Sequence, residues 1–420
     1  MLNNISVKTE REVPKYEVGE EIVFLANVPV TCTNAEYTVT VNRFEVVSTG
    51  SLPSGCRDYR ISVIAQKPCF IEISISGQEE LSEAAAAVSP ELIRPTSACP
   101  ADFKQFWHEK LNLLAKLPLK VSYNKIPQLH DSEYQAWHDQ YPVFGKHQPR
   151  YHEIDVFDFK TPHYRGLPVR GYLAKPTNSR PKSLPAVLFT HGAGITDSDL
   201  AKVNGAAKLG FLAMDINAHG LPNNQPPEYY QNLAEEIQEQ LGNYFKAGRI
   251  DKHASYLPEL LLRHRRALDV LCLQPEWDRK TLIIRGSSQG GFLAVSCAAL
   301  DKRVTAIFAG VPGSCDSTLE FNLQTWLIEK DDNAEIIELV RETSKFSSLT
   351  NFVPEVKAEA WFDVAYLDKL CHPAAFYAMY NLYTAPKHLY EGFTAGHSEI
   401  SREIVFEHYT TEMLKHAGIN

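Results

Sequence analysis

Near the middle of the 420-residue chain, the stretch Leu282-Ile283-Ile284-Arg285-Gly286-Ser287-Ser288-Gln289-Gly290-Gly291 sets a serine in a G-x-S-x-G frame. An apolar strand-like segment precedes it and an apolar helix-like segment, Phe292 to Leu300, follows. A serine hydroxyl is a weak nucleophile. A sharp strand-to-helix turn exposes it and aims the free N–H groups of the helix at the oxyanion that forms on an attacked ester carbonyl. Gly286 and Gly290 flank Ser288 at the two places where a side chain would collide with such a turn. Ser288 is therefore the expected nucleophile. Ser287 is the rival by adjacency, but it stands one residue too early for the flanking glycines.

Such a serine needs a base and a carboxylate to hold that base, in the chain order serine, acid, histidine. Asp368 stands at the end of the apolar segment Ala360 to Leu367, and His397 lies in the small-residue loop Thr394-Ala395-Gly396-His397-Ser398-Glu399. These two are the expected partners. Asp363 lies within the strand and reads as structural, while Asp331 and Asp332 sit in a charged run of the kind that is usually solvated. His372, immediately before a helix starting at Pro373, and His408, in a helical stretch, also read as structural. Cys371 and His372 are sequence neighbours, and neighbours rarely face each other well enough to form a nucleophile pair. The apolar segment from Ala186 runs into His191-Gly192-Ala193-Gly194, so the backbone N–H groups of Ala193 and Gln289 are the expected oxyanion donors, with His191 holding the loop.

These residues require elements that deliver them to one edge of a sheet. Apolar strands at Ala186–Thr190, Phe211–Asn217, Thr281–Arg285, Thr305–Gly310, Ala360–Tyr366 and His388–Phe393 alternate with helices such as Glu259–Leu273, Phe292–Leu300 and Pro373–Leu382. That alternation predicts an α/β-hydrolase type of doubly wound, mostly parallel sheet. Ahead of it, period-two runs at Tyr37/Val39/Val41, Tyr59/Ile61/Val63 and Ile71/Ile73/Ile75 predict a small all-β sandwich of immunoglobulin-like type. The run Ala84 to Pro90 reads as a linker, which divides the chain into a sandwich at 1–95 and a catalytic domain at 96–420. Phe103, Phe106, Trp107, Leu111 and Leu114 recur at helical spacing and predict an amphipathic helix packed on that domain. The sandwich carries no catalytic constellation, so a chain beginning near Pro95 is expected to fold and keep its rate.

The chain resembles the acetyl xylan esterase and cephalosporin C deacetylase family, carbohydrate esterase family 7. The resemblance runs from Cys99-Pro100-Ala101-Asp102-Phe103-Lys104-Gln105-Phe106-Trp107 through His191-Gly192 and Gly286-Ser287-Ser288-Gln289-Gly290-Gly291 to Val364-Ala365-Tyr366-Leu367-Asp368-Lys369-Leu370-Cys371-His372-Pro373, Tyr380-Asn381 and Gly396-His397-Ser398-Glu399. It implies a serine esterase that removes acetyl groups from xylan-derived or other acetylated sugars. It also implies a homo-oligomer, and it carries the triad onto Ser288, Asp368 and His397 and the oxyanion donors onto Ala193 and Gln289. Two departures stand out. The family usually has tyrosine at the position of Ala193, and it carries Arg-Gly-Gln where this chain reads Asn217-Ala218-His219-Gly220. The same constellation also serves acyl-peptide hydrolases and thioesterases, and a carbohydrate-binding or scaffolding protein with an idle site is the reading from a different class.

Composition narrows the partners. With 42 Lys plus Arg against 51 Asp plus Glu, the net charge of −9 repels a polyphosphate, so nucleic acid is not an expected partner. No stretch approaches the roughly 20 apolar residues of a membrane span, and none is expected. The start, Met1-Leu2-Asn3-Asn4-Ile5, lacks the basic and apolar segments of a signal peptide. The chain as written is expected in the cytoplasm; a signal removed ahead of it would make the protein secreted or periplasmic. The eight cysteines show no paired short spacing of a metal site, and neither a metal nor a cofactor is expected.

Overall fold

Period-two alternation folds the N-terminal segments into two facing sheets. The computed structural model describes residues 4–400 and 402–419. Its first eight strands are β1 (Ser6–Thr9), β2 (Lys15–Tyr16), β3 (Glu21–Asn27), β4 (Ala35–Val41), β5 (Glu45–Leu52), β6 (Tyr59–Ile64), β7 (Cys69–Gly77) and β8 (Glu80–Val88). They pair in the orders β1-β3-β6 and β2-β8-β7-β4-β5. Val39, Ile61, Ile71, Ile73 and Ile75 point between the sheets and are buried there, as the alternation required.

The alanine run read as a linker is instead the second half of β8, and the reason is packing. Ala84, Ala86 and Val88 face the core between the two sheets, whereas Ala85 and Ala87 face the other way and join the core of the catalytic region, as does Phe70 on neighbouring β7. Methyl-sized side chains let this sheet lie close against its neighbour on both faces, so a run with no large apolar residue is nevertheless buried. The two regions thus share a core, from which a chain beginning near Pro95 would lose the cover of Phe70, Ala85 and Ala87.

Beyond the module the elements are α1 (Phe103–Ala115), β9 (Ser122–Ile126), α2 (Asp131–Gln140), β10 (Ile154–Thr161), β11 (Val169–Pro176), β12 (Leu184–Thr190), α3 (Leu200–Leu209), β13 (Leu212–Ile216), α4 (Pro227–Leu241), α5 (Tyr256–Leu273), β14 (Trp277–Ser287) and α6 (Gln289–Leu300). There follow β15 (Ala306–Gly310), α7 (Glu320–Trp326), α8 (Ala334–Ser344), α9 (Leu349–Phe352), β16 (Glu359–Ala365), α10 (Pro373–Tyr380), β17 (Lys387–Gly392) and α11 (Arg402–His416). The nine-stranded sheet has the order β17-β16-β15-β14-β12-β13-β11-β10-β9. Its six strands from β12 onward are mutually parallel and correspond to the six apolar segments of the sequence, while β9, β10 and β11 form an antiparallel extension. Its edge strand, Ser122-Tyr123-Asn124-Lys125-Ile126, is largely exposed, and charged residues interrupt the more buried β10 (Asp155, Asp158, Lys160) and β11 (Arg170, Lys175), which left no continuous apolar run to read.

Helices cover both faces, as buried parallel strands require. α3 and α11 pack on one side through Val203, Leu209, Val405, Tyr409 and Met413, and α5, α6 and α10 on the other through Leu261, Leu268, Leu293 and Phe376. α6 is buried from Gln289 to Ala299, which is why its sequence is apolar all round rather than amphipathic. All eight cysteines are free. Among the described residues no helix is long and apolar enough to cross a membrane.

Candidate active site

The turn between β14 and α6 holds Ser288 at φ 59° and ψ −123°, a left-handed backbone that a non-glycine residue adopts only where its surroundings hold it there. Those surroundings are visible. Ser288 N–H donates to Gly310 O at 2.9 Å, and Gly313 N–H donates to Ser288 O at 2.8 Å, which anchors the elbow to the end of β15. A methyl on Gly290 would stand 2.5 Å from Thr190 O, and one on Gly286 would press on Thr190 Oγ1 and on the Gly290 carbonyl. The glycines are there because β12 passes directly beneath the turn. Ser287, the rival, sits against Gly310, where a methyl would lie 2.7 Å from its Oγ.

His397 and Asp368 are brought together: His397 Nδ1 lies 2.7 Å from Asp368 Oδ2. Asp368 is fully buried. Its other oxygen, Oδ1, accepts the backbone N–H groups of Leu370 and Cys371, each at 2.8 Å, so the carboxylate is aimed by the loop that carries it. The Cys371 thiol is within hydrogen-bonding reach of Ser288, and ligand atoms of Asp368, Cys371 and His397 all lie within 4.8 Å of one another. Ser288, the His397 imidazole and the Asp368 carboxylate therefore each approach one thiol. Asp, Cys and His are metal-ligand types, yet here both carboxylate oxygens are already occupied by N–H donors, one of them the imidazole itself. Burial raises the Cys371 thiol well above its ordinary range, which keeps it protonated and poorly nucleophilic.

The competing residues have other work. Asp363 is buried, accepts the Tyr409 hydroxyl at 2.7 Å and Val311 N–H at 3.0 Å, and burial pushes its carboxyl up to about 6; it ties β16 to the end of β15 and to α11. Asp332 pairs with Arg249 at 2.5 Å. His372 caps α10, its Nδ1 accepting Ala374 N–H. His408 is exposed on α11. His191 Nε2 lies 2.5 Å from Asp215 Oδ1; burial alone would raise that carboxyl, but His191 and Lys202 outweigh it and bring it below its usual range.

Among the described residues neither the Ala193 nor the Gln289 backbone N–H reaches an acceptor. Gln289 is the first residue of α6, where N–H groups lack intrahelical partners, so both donors stand free beside Ser288. The sequence left unseen what holds them. The Gln289 side chain donates through Nε2 to Gly192 O at 3.3 Å and accepts the Tyr244 hydroxyl at 2.7 Å, and that same hydroxyl accepts Gly194 N–H at 3.2 Å. Tyr244, from a single 3-10 turn before α5, therefore ties the two donor loops together on either side of Ala193. His219 Nε2 donates to Gly194 O at 3.0 Å while its Nδ1 accepts the Tyr256 hydroxyl at 2.5 Å, and burial pushes this imidazole down to about 4, keeping it neutral as that arrangement needs. His219 lies in the stretch Asn217-Ala218-His219-Gly220 that departs from the family pattern, and it supports the very loop in which Ala193 also departs. That coincidence was the one available hint.

Replacing Tyr244 by phenylalanine is expected to lower kcat by about tenfold, less than loss of a donor itself, with KM little changed, since the bridge positions groups that act on developing charge. Steady-state kinetics on a soluble acetate ester checks this. A changed KM at unchanged kcat would assign Tyr244 to substrate binding instead.

Beside Ser288 opens a cavity of about 130 Å³ walled by Phe245, Leu257, Phe292, Trp326 and Leu370, with Ala193 and Gln289 at its rim. A family model for acetyl xylan esterase (AXE1) matches residues 91–403. The acetyl esterase Axe7A of Xylanibacter ruminicola is 29% identical over 328 residues, covering 77% of this chain and 69% of that protein. The acetyl xylan esterase of Paenibacillus sp. R4 superposes with a TM-score of 0.61 at 20% identity, over 77% of this chain and 98% of that one. Acetyl xylan esterase 1 of Thermoanaerobacterium sp. JW/SL YS485 does so at 0.60 and 17%, over 77% and 97%. At these identities the two solved structures speak for the fold.

Proposed function

The chain belongs to the acetyl xylan esterase family and is a serine esterase acting on acetyl esters, and on that premise we propose that Ser288, His397 and Asp368 carry the reaction, with the Ala193 and Gln289 N–H groups as the oxyanion hole. The observation that supports this most is the fully buried Asp368, aimed by two N–H groups at His397, in one cluster with a serine held at a strained elbow. Ser288 Oγ attacks the acetyl carbonyl while His397 Nε2 takes its proton, and Asp368 holds Nδ1–H and stabilises the imidazolium. Negative charge growing on the carbonyl oxygen meets N–H groups already fixed in place, which is where most of the rate acceleration arises. His397 then returns the proton to the leaving sugar hydroxyl, and water releases acetate from Ser288 by the same steps in reverse order.

The acyl side is expected to be selective by degree. The walls of the cavity are mainly apolar, with Ser314, Ser317 and Asn322 among them, and Ala193 leaves space that a tyrosine would fill, so each added methylene changes binding by at most about 1 to 3 kcal/mol unless a wall stops it. We propose acetate as the best acyl group, with propionate within roughly two hundredfold of it. The test is kcat/KM on matched acetate, propionate, butyrate and octanoate esters, run with a chelator present and alongside acetate release from acetylated xylo-oligosaccharides. A maximum at octanoate would overturn the acetyl preference, and abolition by the chelator with restoration by zinc would overturn the metal-free mechanism.

A further inference from the structure

We infer that the N-terminal β module is a working part of the catalytic site, because its buried Glu72 holds, through His372, the loop that aims Asp368. The inference rests on Asp368 being the acid that orients His397. Glu72 lies on β7, on the face turned away from the module's own core, and is 5% exposed; His372 is 1% exposed. Glu72 Oε1 stands 2.7 Å from His372 Nε2, and its Oε2 accepts Arg43 N–H at 3.0 Å. Since His372 Nδ1 accepts Ala374 N–H, the proton is on Nε2 and the imidazole donates to Glu72.

The grip extends along the loop. Lys369 pairs with Glu83 of β8 at 2.6 Å, and Glu83 is held in turn by Arg43 at 3.3 Å. Phe70 of β7 stacks its edge on Tyr366 at 5.0 Å and on His372 at 6.2 Å between centroids. Between the two gripped residues, Lys369 and His372, lie Leu370 and Cys371, whose N–H groups fix Asp368 Oδ1. The loop is thus fastened at both ends to the module, and the carboxylate is fastened to its middle. The family match begins at residue 91, beyond β8, so this fastening is supplied by a part of the chain outside the matched region.

A misplacement of about 1 Å at a reacting group can cost a hundredfold in rate, which sets the scale of what the strut protects. For Glu72→Ala in the full chain, kcat on an acetate ester is expected to fall between about tenfold and a hundredfold with KM near its original value. Glu72→Gln, which keeps an acceptor for His372, is expected to restore kcat to within about threefold of the parent. Val39→Ala weakens only the core between the module's own sheets and is expected to lower Tm while leaving kcat in place. Glu83→Ala cuts the Lys369 tie at a half-buried position and is expected to move kcat in the same direction by a smaller factor, so the inference stays testable should Glu72→Ala not fold. Unchanged kcat in a folded Glu72→Ala or in Glu83→Ala, or an equal loss in Val39→Ala, would overturn it. If Asp368→Asn is itself silent, the inference falls together with the site; if Asp368→Asn is inactive while the Glu72 and Glu83 variants are normal, the strut alone falls.

Discussion

Ser288→Ala is expected to reduce hydrolysis of an acetate ester by at least about 10⁴-fold while the protein stays folded. The serine contributes one hydroxyl to the chemistry and little to the fold: its backbone is held by Gly310 and Gly313, and alanine at φ 59° bears the same backbone strain as serine. Cys371, the nearest other nucleophile, does not take over, because burial keeps its thiol protonated. Ser287→Ala removes a hydroxyl that rests against Gly310 and is expected to leave most of the rate. Matched kinetics and thermal melts on the two variants check this pair, and a large loss in Ser287→Ala with Ser288→Ala active would reverse the assignment.

For Asp368→Asn a fall in kcat of about 10⁴-fold is expected, with KM changed far less. The geometry says why so small a change does so much. Two backbone N–H groups claim Oδ1, so an asparagine there keeps its carbonyl oxygen toward Leu370 and Cys371 and turns its NH₂ toward His397. Facing a donor, Nδ1 becomes the acceptor and the proton moves to Nε2, the nitrogen that must accept from Ser288. Asp363→Asn is the informative contrast: its partners are Val311 N–H and a Tyr409 hydroxyl that can turn to accept, so the substitution is expected to be tolerated with activity largely kept. A dominant loss in Asp363→Asn and a mild one in Asp368→Asn would place the acid on the wrong residue.

The elbow was legible because steric demand there is local: only small residues fit where Thr190 meets the turn, and a strand, two glycines and an apolar helix state that demand in one unbroken stretch from Leu282 to Leu300. The central strands β12, β13 and β15 were legible for a related reason, since strands buried on both faces must be apolar throughout. Long-range partners were not. Nothing near Glu72 in sequence announces His372, 300 positions away, and nothing near Tyr244 announces Gly194 and Gln289. The alanine run of β8 misled because a residue's size says little about burial when both its neighbouring layers are close; Ala85 and Ala87 are buried by what packs on them.

Ser288 is the residue expected to be acylated in turnover. Its most direct test is to treat the full chain with a fluorophosphonate, digest it, and locate the adduct by mass spectrometry while following residual activity. One adduct per chain is expected, on Ser288 in the peptide that includes Gly286 to Gly291, with activity lost in proportion to labelling and no labelling in Ser288→Ala. An adduct on Ser287 or Cys371, or full activity in a chain fully labelled at Ser288, would contradict it.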